Sequence, residues 1–140
     1  MEAMHGEHLH RILDGGVVRT LVIEDSRAMR SILAEILGEV GFEVTLTADA
    51  EEALEVLEND HYFELALVDW NLPGLSGLDL VKAIRERPAR DDIKLMMVTA
   101  ETELGRVREA LEAGADEYIM KPFDKEMLLE KLALLGIEVG

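Results

Sequence analysis

The stretch Leu65-Ala66-Leu67-Val68-Asp69-Trp70-Asn71-Leu72-Pro73-Gly74 decides the fold. Four apolar residues in a row, bounded by turn formers, read as a short strand buried on both faces. The run stops on an acid, and Gly74 and Gly77 mark the loop that follows. Comparable runs lie on either side. Val17-Val18-Arg19-Thr20-Leu21-Val22-Ile23 ends on Glu24-Asp25, and Leu95-Met96-Met97-Val98 ends on Thr99. Glu117 to Met120 is a shorter run that ends on Lys121-Pro122, and Phe42 to Leu46 is a further β-rich segment.

Between these runs the apolar spacing becomes helical. Ser26 to Val40 sets Ile32, Leu33, Ile36, Leu37 and Val40 on one face and closes at Gly41. Asp49 with Glu52 makes an N-terminal capping pattern ahead of Ala53, Leu54 and Leu57. Leu78, Val81 and Ile84 mark a helix that must stop before Pro88. Thr102 is the expected cap of a helix holding Leu104, Val107 and Leu111, with Gly114 as its stop. Asp124 opens the last helix, with Leu128, Leu129, Leu132 and Leu135 inward and Gly136 at its end. Strands alternating with helices imply a doubly wound α/β fold: a five-stranded parallel sheet with five helices on its two faces. Right-handed crossovers restrict the strand orders, and 2-1-3-4-5 leads.

The 140 residues fit one domain, expected over 17–140, behind an N-terminal extension over 1–16 that is expected to be flexible. That extension carries His5, His8 and His10, and a short turn is conceivable at Leu9, Ile12 and Leu13. There is no cysteine, so neither disulfides nor thiol chemistry enter. Thirty acids against 14 bases give a net charge of −16, without the basic footprint that nucleic acids or anionic membranes require. No apolar run reaches membrane-span length and no secretory core opens the chain, so a cytoplasmic protein is expected.

Ligands of such sheets bind at the carboxyl ends of the strands. Those ends carry Glu24, Asp25, Asp69, Thr99 and Lys121. Singly, each reads as a surface group, a cap or an ordinary strand residue. Together they place three carboxylates, a hydroxyl and an ammonium on one edge. Close carboxylates repel unless a cation compensates them, and Mg²⁺ suits carboxylate oxygen donors. A carboxylate can also act as a nucleophile and become an acyl phosphate. The set therefore reads as a phosphoryl-accepting site.

At these residues the chain resembles the receiver domains of two-component signalling, nearest the CheY-like branch. Four motifs carry the resemblance: Glu24-Asp25-Ser26-Arg27-Ala28-Met29-Arg30, Asp69-Trp70-Asn71-Leu72-Pro73-Gly74, Met97-Val98-Thr99-Ala100-Glu101 and Tyr118-Ile119-Met120-Lys121-Pro122-Phe123. It runs from about Arg19 to Gly136, and the order 2-1-3-4-5 is that family's precedent rather than an independent deduction. The resemblance implies that Asp69 is the phosphoacceptor and that Glu24, Asp25, Asp69 and the Asn71 backbone carbonyl hold Mg²⁺ or Mn²⁺. Glu24 departs from the commoner aspartate at its position. Lys121 is implied to pair with phosphate, and Pro122 to follow a cis bond. Thr99 and Tyr118 correspond to the switch pair, and Asn71 and Glu101 to positions that tune phosphoryl lifetime. Glu101, Leu104, Tyr118 and Lys131 correspond to the surface where targets dock. The implied partners are a sensor histidine kinase or phosphotransfer domain and a downstream protein such as a flagellar motor switch. A monomer is expected, with dimerisation on phosphorylation as an option.

Other outputs stay open within the family: a phosphorelay shuttle or a regulator of another protein. Outside it, a haloacid-dehalogenase-type phosphatase would place a second aspartate two residues after its nucleophile, where this chain has Asn71. A flavin module of the same fold would cradle phosphate after its first strand, where this chain has Glu24-Asp25.

Overall fold

The structure is a computed structural model that describes residues 16–59 and 62–139. The expected extension over 1–16, with its three histidines, lies outside the described residues except for Gly16. Five strands form: β1 (Arg19–Ile23), β2 (Glu43–Thr47), β3 (Leu65–Asp69), β4 (Lys94–Thr99) and β5 (Glu117–Met120). Five helices alternate with them: α1 (Arg27–Glu39), α2 (Ala50–Asn59), α3 (Gly77–Arg85), α4 (Val107–Ala113) and α5 (Lys125–Leu134). The sheet is wholly parallel in the order β2-β1-β3-β4-β5, as the sequence led one to expect. Ile23 pairs with both Thr47 and Val68, and Thr99 with Met120, so the carboxyl ends of the strands align along one edge.

Alternate residues of each strand feed opposite cores. Leu21, Ile23, Ala66, Val68, Leu95 and Met97 pack against α2, α3 and α4, through residues such as Ala53, Leu57, Val81, Ile84 and Ala110. Val22, Leu65, Leu67, Met96, Val98 and Ile119 pack against Leu33 and Leu37 of α1 and Leu128 and Leu132 of α5. β3 is buried at every position because helices cover both its faces. None of the described helices is long and apolar enough to cross a membrane.

Local signals held where a polar side chain fixes a helix start. Ser26, Ser76 and Asp124 each accept an N–H from three residues on. Asp49 accepts from Glu52 N, while the Glu52 carboxylate reaches back to Ala48 N. Two expectations need correction. Ile32 does not face the core and is 47% exposed, because the face of α1 that packs on the sheet runs through Met29, Leu33, Ile36 and Leu37. Thr102 does not cap a helix: its hydroxyl bonds to the Glu103 carboxylate instead. The backbone there is a 3₁₀ turn over Glu101–Arg106 before α4 begins, and of Leu104, Val107 and Leu111 only Val107 is buried.

The opposite, amino-terminal edge of the sheet is clamped by Arg85. Its guanidinium donates to the carbonyls of Gly114, Arg90 and Ile93 and to the Asp116 carboxylate, at 2.6–3.0 Å. Asp116 in turn accepts Leu95 N at 2.8 Å. One cation thus satisfies three loop carbonyls with no strand partner. Arg85→Ala is expected to cost about 3 kcal/mol by removing its bonds to the Gly114 and Ile93 carbonyls and to Asp116, while Arg90 O keeps the Ile93 N–H. Urea denaturation would show this as a lower midpoint with an unchanged slope.

Candidate functional site

β1 delivers Glu24 and Asp25, β3 delivers Asp69, β4 delivers Thr99 and β5 is followed by Lys121. The order of the sheet makes these four strands neighbours, so all five side chains reach the same edge. Lys121 Nζ lies 3.0 Å from Glu24 Oε1 and 3.3 Å from Asp69 Oδ1. Glu24, Asp25 and Asp69 each present a carboxylate oxygen within 4.8 Å of the others. Glu24 and Asp69 are buried, and Asp25 is open to solvent. All the donors are hard oxygens, and the trio is short of positive charge, which fits Mg²⁺ or Mn²⁺.

Burial pushes the Asp69 carboxyl up to about 7, helped by the hydrogen bond and charge of Glu24 and opposed by Lys121. Burial would also raise Glu24, but the Ser26 N–H and the Lys121 ammonium outweigh it and hold Glu24 below the usual carboxylate range. Burial would lower Lys121, and the two carboxylates overcome it and raise the ammonium instead. In the metal-free site a proton therefore favours Asp69 over Glu24, which is held anionic beside Lys121.

The loop bearing Glu24 and Asp25 is pinned from the first turn of α1. Arg30 Nη1 donates to both their carbonyls, at 2.8 and 3.0 Å. The sequence reading passed over this residue. Its signal was a cation near a helix N-terminus, where the dipole disfavours it unless carbonyls answer it. Trp70 is only 3% exposed, and the Arg106 guanidinium lies 4.8 Å from its ring centroid. Asn71 donates its backbone N–H toward Asp69 Oδ1 at 3.4 Å. Its side chain meets Glu103, at 3.2 Å, and not Glu101, which is exposed. Glu103 is thus a second residue missed, since nothing distinguishes it from Glu101 in the sequence.

Thr99 is fully buried, and its hydroxyl donates to Ala100 O at 3.2 Å rather than to Asp69. The Lys121–Pro122 bond is cis. Tyr118 is half-buried, with Lys131 Nζ 4.1 Å from its ring centroid and 3.0 Å from Glu117. Leu104, Tyr118 and Lys131, three of the four expected docking residues, line one cavity of about 230 Å³ with Met127 and Glu130.

The family model for the response regulator receiver domain matches residues 20–133. The chain belongs to this family. It is 35% identical over 117 residues to the chemotaxis protein CheY of Pseudomonas aeruginosa, covering 82% of this chain and 93% of that one. It is 38% identical over 119 residues to chemotaxis protein CheY1 of Helicobacter pylori, covering 84% and 96%. Among solved structures, CheY4 of Vibrio cholerae superposes with a TM-score of 0.78 at 30% identity, over 85% of this chain and 98% of that one. A CheY-like receiver domain from Methanospirillum hungatei gives 0.75 at 38% identity, over 85% and 93%. As a CheY-like receiver, the chain is a phosphorylation-dependent signalling switch, and the Glu24–Asp25–Asp69 cluster lies where receivers hold Mg²⁺.

Proposed function

We propose that this receiver takes a phosphoryl group onto Asp69 from a histidine kinase or phosphotransfer domain and then alters its affinity for a downstream protein. The observation that carries this reading is Asp69 at a strand end, 3.3 Å from Lys121 and beside Glu24 and Asp25. Asp25, Asp69 and the Asn71 carbonyl would hold Mg²⁺ or Mn²⁺, with Glu24 reaching it through water. A cation bound there neutralises the incoming phosphoryl oxygens. An Asp69 oxygen forms the new O–P bond as the donor's bond to phosphorus breaks, and the donor group leaves with the electron pair. Lys121 pairs with a phosphoryl oxygen, and the Thr99 hydroxyl leaves Ala100 O to donate to another. The displaced Thr99 opens space for the Tyr118 ring, which remodels the surface around Leu104, Tyr118 and Lys131. The names of the relatives favour a chemotaxis output, with a flagellar motor switch as the kind of target. The protein acts in the cytoplasm.

Acetyl phosphate with Mg²⁺ is expected to add one phosphoryl group by intact mass, and chelation of the metal is expected to prevent it. Mg²⁺ titration should change Trp70 emission, and Asp25→Ala should weaken that response by at least about tenfold. A flat titration, with equal labelling in chelator, would overturn the reading.

A further inference from the structure

Glu103 joins the loop after Asp69 to the loop after Thr99. Its Oε1 accepts the Asn71 side-chain amide at 3.2 Å and Ala100 N at 3.2 Å. Its own N–H donates to Ala100 O at 3.0 Å. Its second carboxylate oxygen takes the Thr102 hydroxyl. Ala100 O is also the acceptor that holds the Thr99 hydroxyl, at 3.2 Å. Both polar groups of the residue after Thr99 are therefore occupied by Glu103, and the same carboxylate grips the residue two beyond Asp69. The Arg106–Trp70 stack ties the same two loops a second time.

We propose that Glu103 is a positioning residue that latches the loop after Thr99 onto Asn71 in the unphosphorylated protein and so sets how readily Asp69 is phosphorylated. This rests on the reading of Asp69 as phosphoacceptor. Thr99 cannot turn its hydroxyl toward Asp69 without giving up Ala100 O. The carboxylate of Glu103 holds Ala100 from its N–H side while the Glu103 N–H holds Ala100 O, so the residue is fixed at both ends with its oxygen facing the Thr99 hydroxyl. Releasing the carboxylate removes two acceptor contacts that exist only in the latched state, so the unlatched population rises. The Asn71 contact is exposed and exchanges with water at little cost, so the part-buried Ala100 contact sets the scale, a population change of about threefold to tenfold.

The test uses the full chain with E103A and E103Q, after melting curves show both folded. E103Q retains an acceptor oxygen and loses the charge, whereas E103A loses both. E103A should take up phosphoryl from acetyl phosphate about threefold to tenfold faster than the native chain, and E103Q should stay within about twofold. In the unphosphorylated protein, NMR should show faster hydrogen exchange at the Ala100 amide of E103A and shifted Asn71 side-chain amide signals. An unchanged or slower uptake by E103A overturns the latch, whatever the NMR shows. Equal acceleration in E103Q also overturns it, since charge and not hydrogen bonding would then be responsible. A native chain that takes up no phosphoryl group fails at the proposed function itself, a result separable from a labelled native chain with an indifferent E103A.

Discussion

Asp69→Asn is expected to accept no phosphoryl group and, in metal-free buffer at pH 8, to melt higher than the native chain. The amide nitrogen and oxygen of asparagine cannot form the acyl phosphate, so labelling with acetyl phosphate should vanish rather than decline. The stability gain comes from the same carboxylate. The Asp69 pKa is raised from 3.8 to about 7 on folding, so between these values the folded state binds more protons than the unfolded one. Native stability therefore falls as pH rises through this window, and the full cost is present above pH 7. The lowered pKa of Glu24 works in the opposite direction and reduces the total. The net penalty is on the order of 2 kcal/mol, or about 5–10 °C in melting temperature. The variant keeps the Lys121–Glu24 pair and is free of this penalty. Its advantage should shrink toward zero as pH falls to about 4. Millimolar Mg²⁺ should raise the native melting temperature and narrow the gap, because the metal binds only the folded state. A constant gap from pH 4 to 8 would contradict this account.

Gly77→Ala is expected to be the most damaging alanine substitution among the described glycines. A Cβ at this position would lie 2.3 Å from Asp69 O and 3.0 Å from Trp70 Cα. Both are backbone atoms of the peptide that joins Asp69 to Trp70, so neither can rotate away. Gly77 N also donates to Trp70 O at 3.1 Å, which brings α3 against the end of β3. The methyl must push the helix off the strand or displace Asp69. A loss of about 3 kcal/mol or more is expected, at the upper end of the usual cost of overpacking. Thermal denaturation should show a drop of about 10 °C or more for a domain of this size. Phosphoryl uptake at temperatures where the variant is still folded should fall as well. A variant within about 1 kcal/mol of the native chain would mean that α3 can slide along β3.

Much of this was legible in the sequence, for identifiable reasons. Buried parallel strands are nearly uniform apolar runs, so Leu65–Val68 and Leu95–Val98 declared themselves, and the residue that ends each run is a sheet-edge residue by construction. Glu24, Asp25, Asp69 and Lys121 were recoverable together because strand ends are countable and the strand order brings them side by side. What escaped depends on contacts made far along the chain. Arg85 looks like any helix-terminal cation until the Arg90, Ile93 and Gly114 carbonyls gather around it. Trp70 could not be placed inside or outside by its neighbours, because its burial depends on packing with residues such as Leu78 and Ala110. Thr102 satisfied the local rule for a cap and lost to Glu103, a competition that spacing alone does not reveal.

The Lys121–Glu24 contact spans 97 positions of the chain, and the Lys121–Asp69 contact spans 52. Among the described residues, the one ammonium bonded to the carboxylate cluster thus arrives with the last strand, after the acids of the first and third have long been synthesised. Pairing of β1 with β3 brings these acids side by side before β5 docks, and until Lys121 arrives their mutual repulsion works against that pairing. On the proposed function, competence to be phosphorylated is therefore a property of the assembled sheet, and a ribosome-bound or proteolytically shortened fragment that lacks β5 is expected to be silent to a kinase even if most of its sheet had formed.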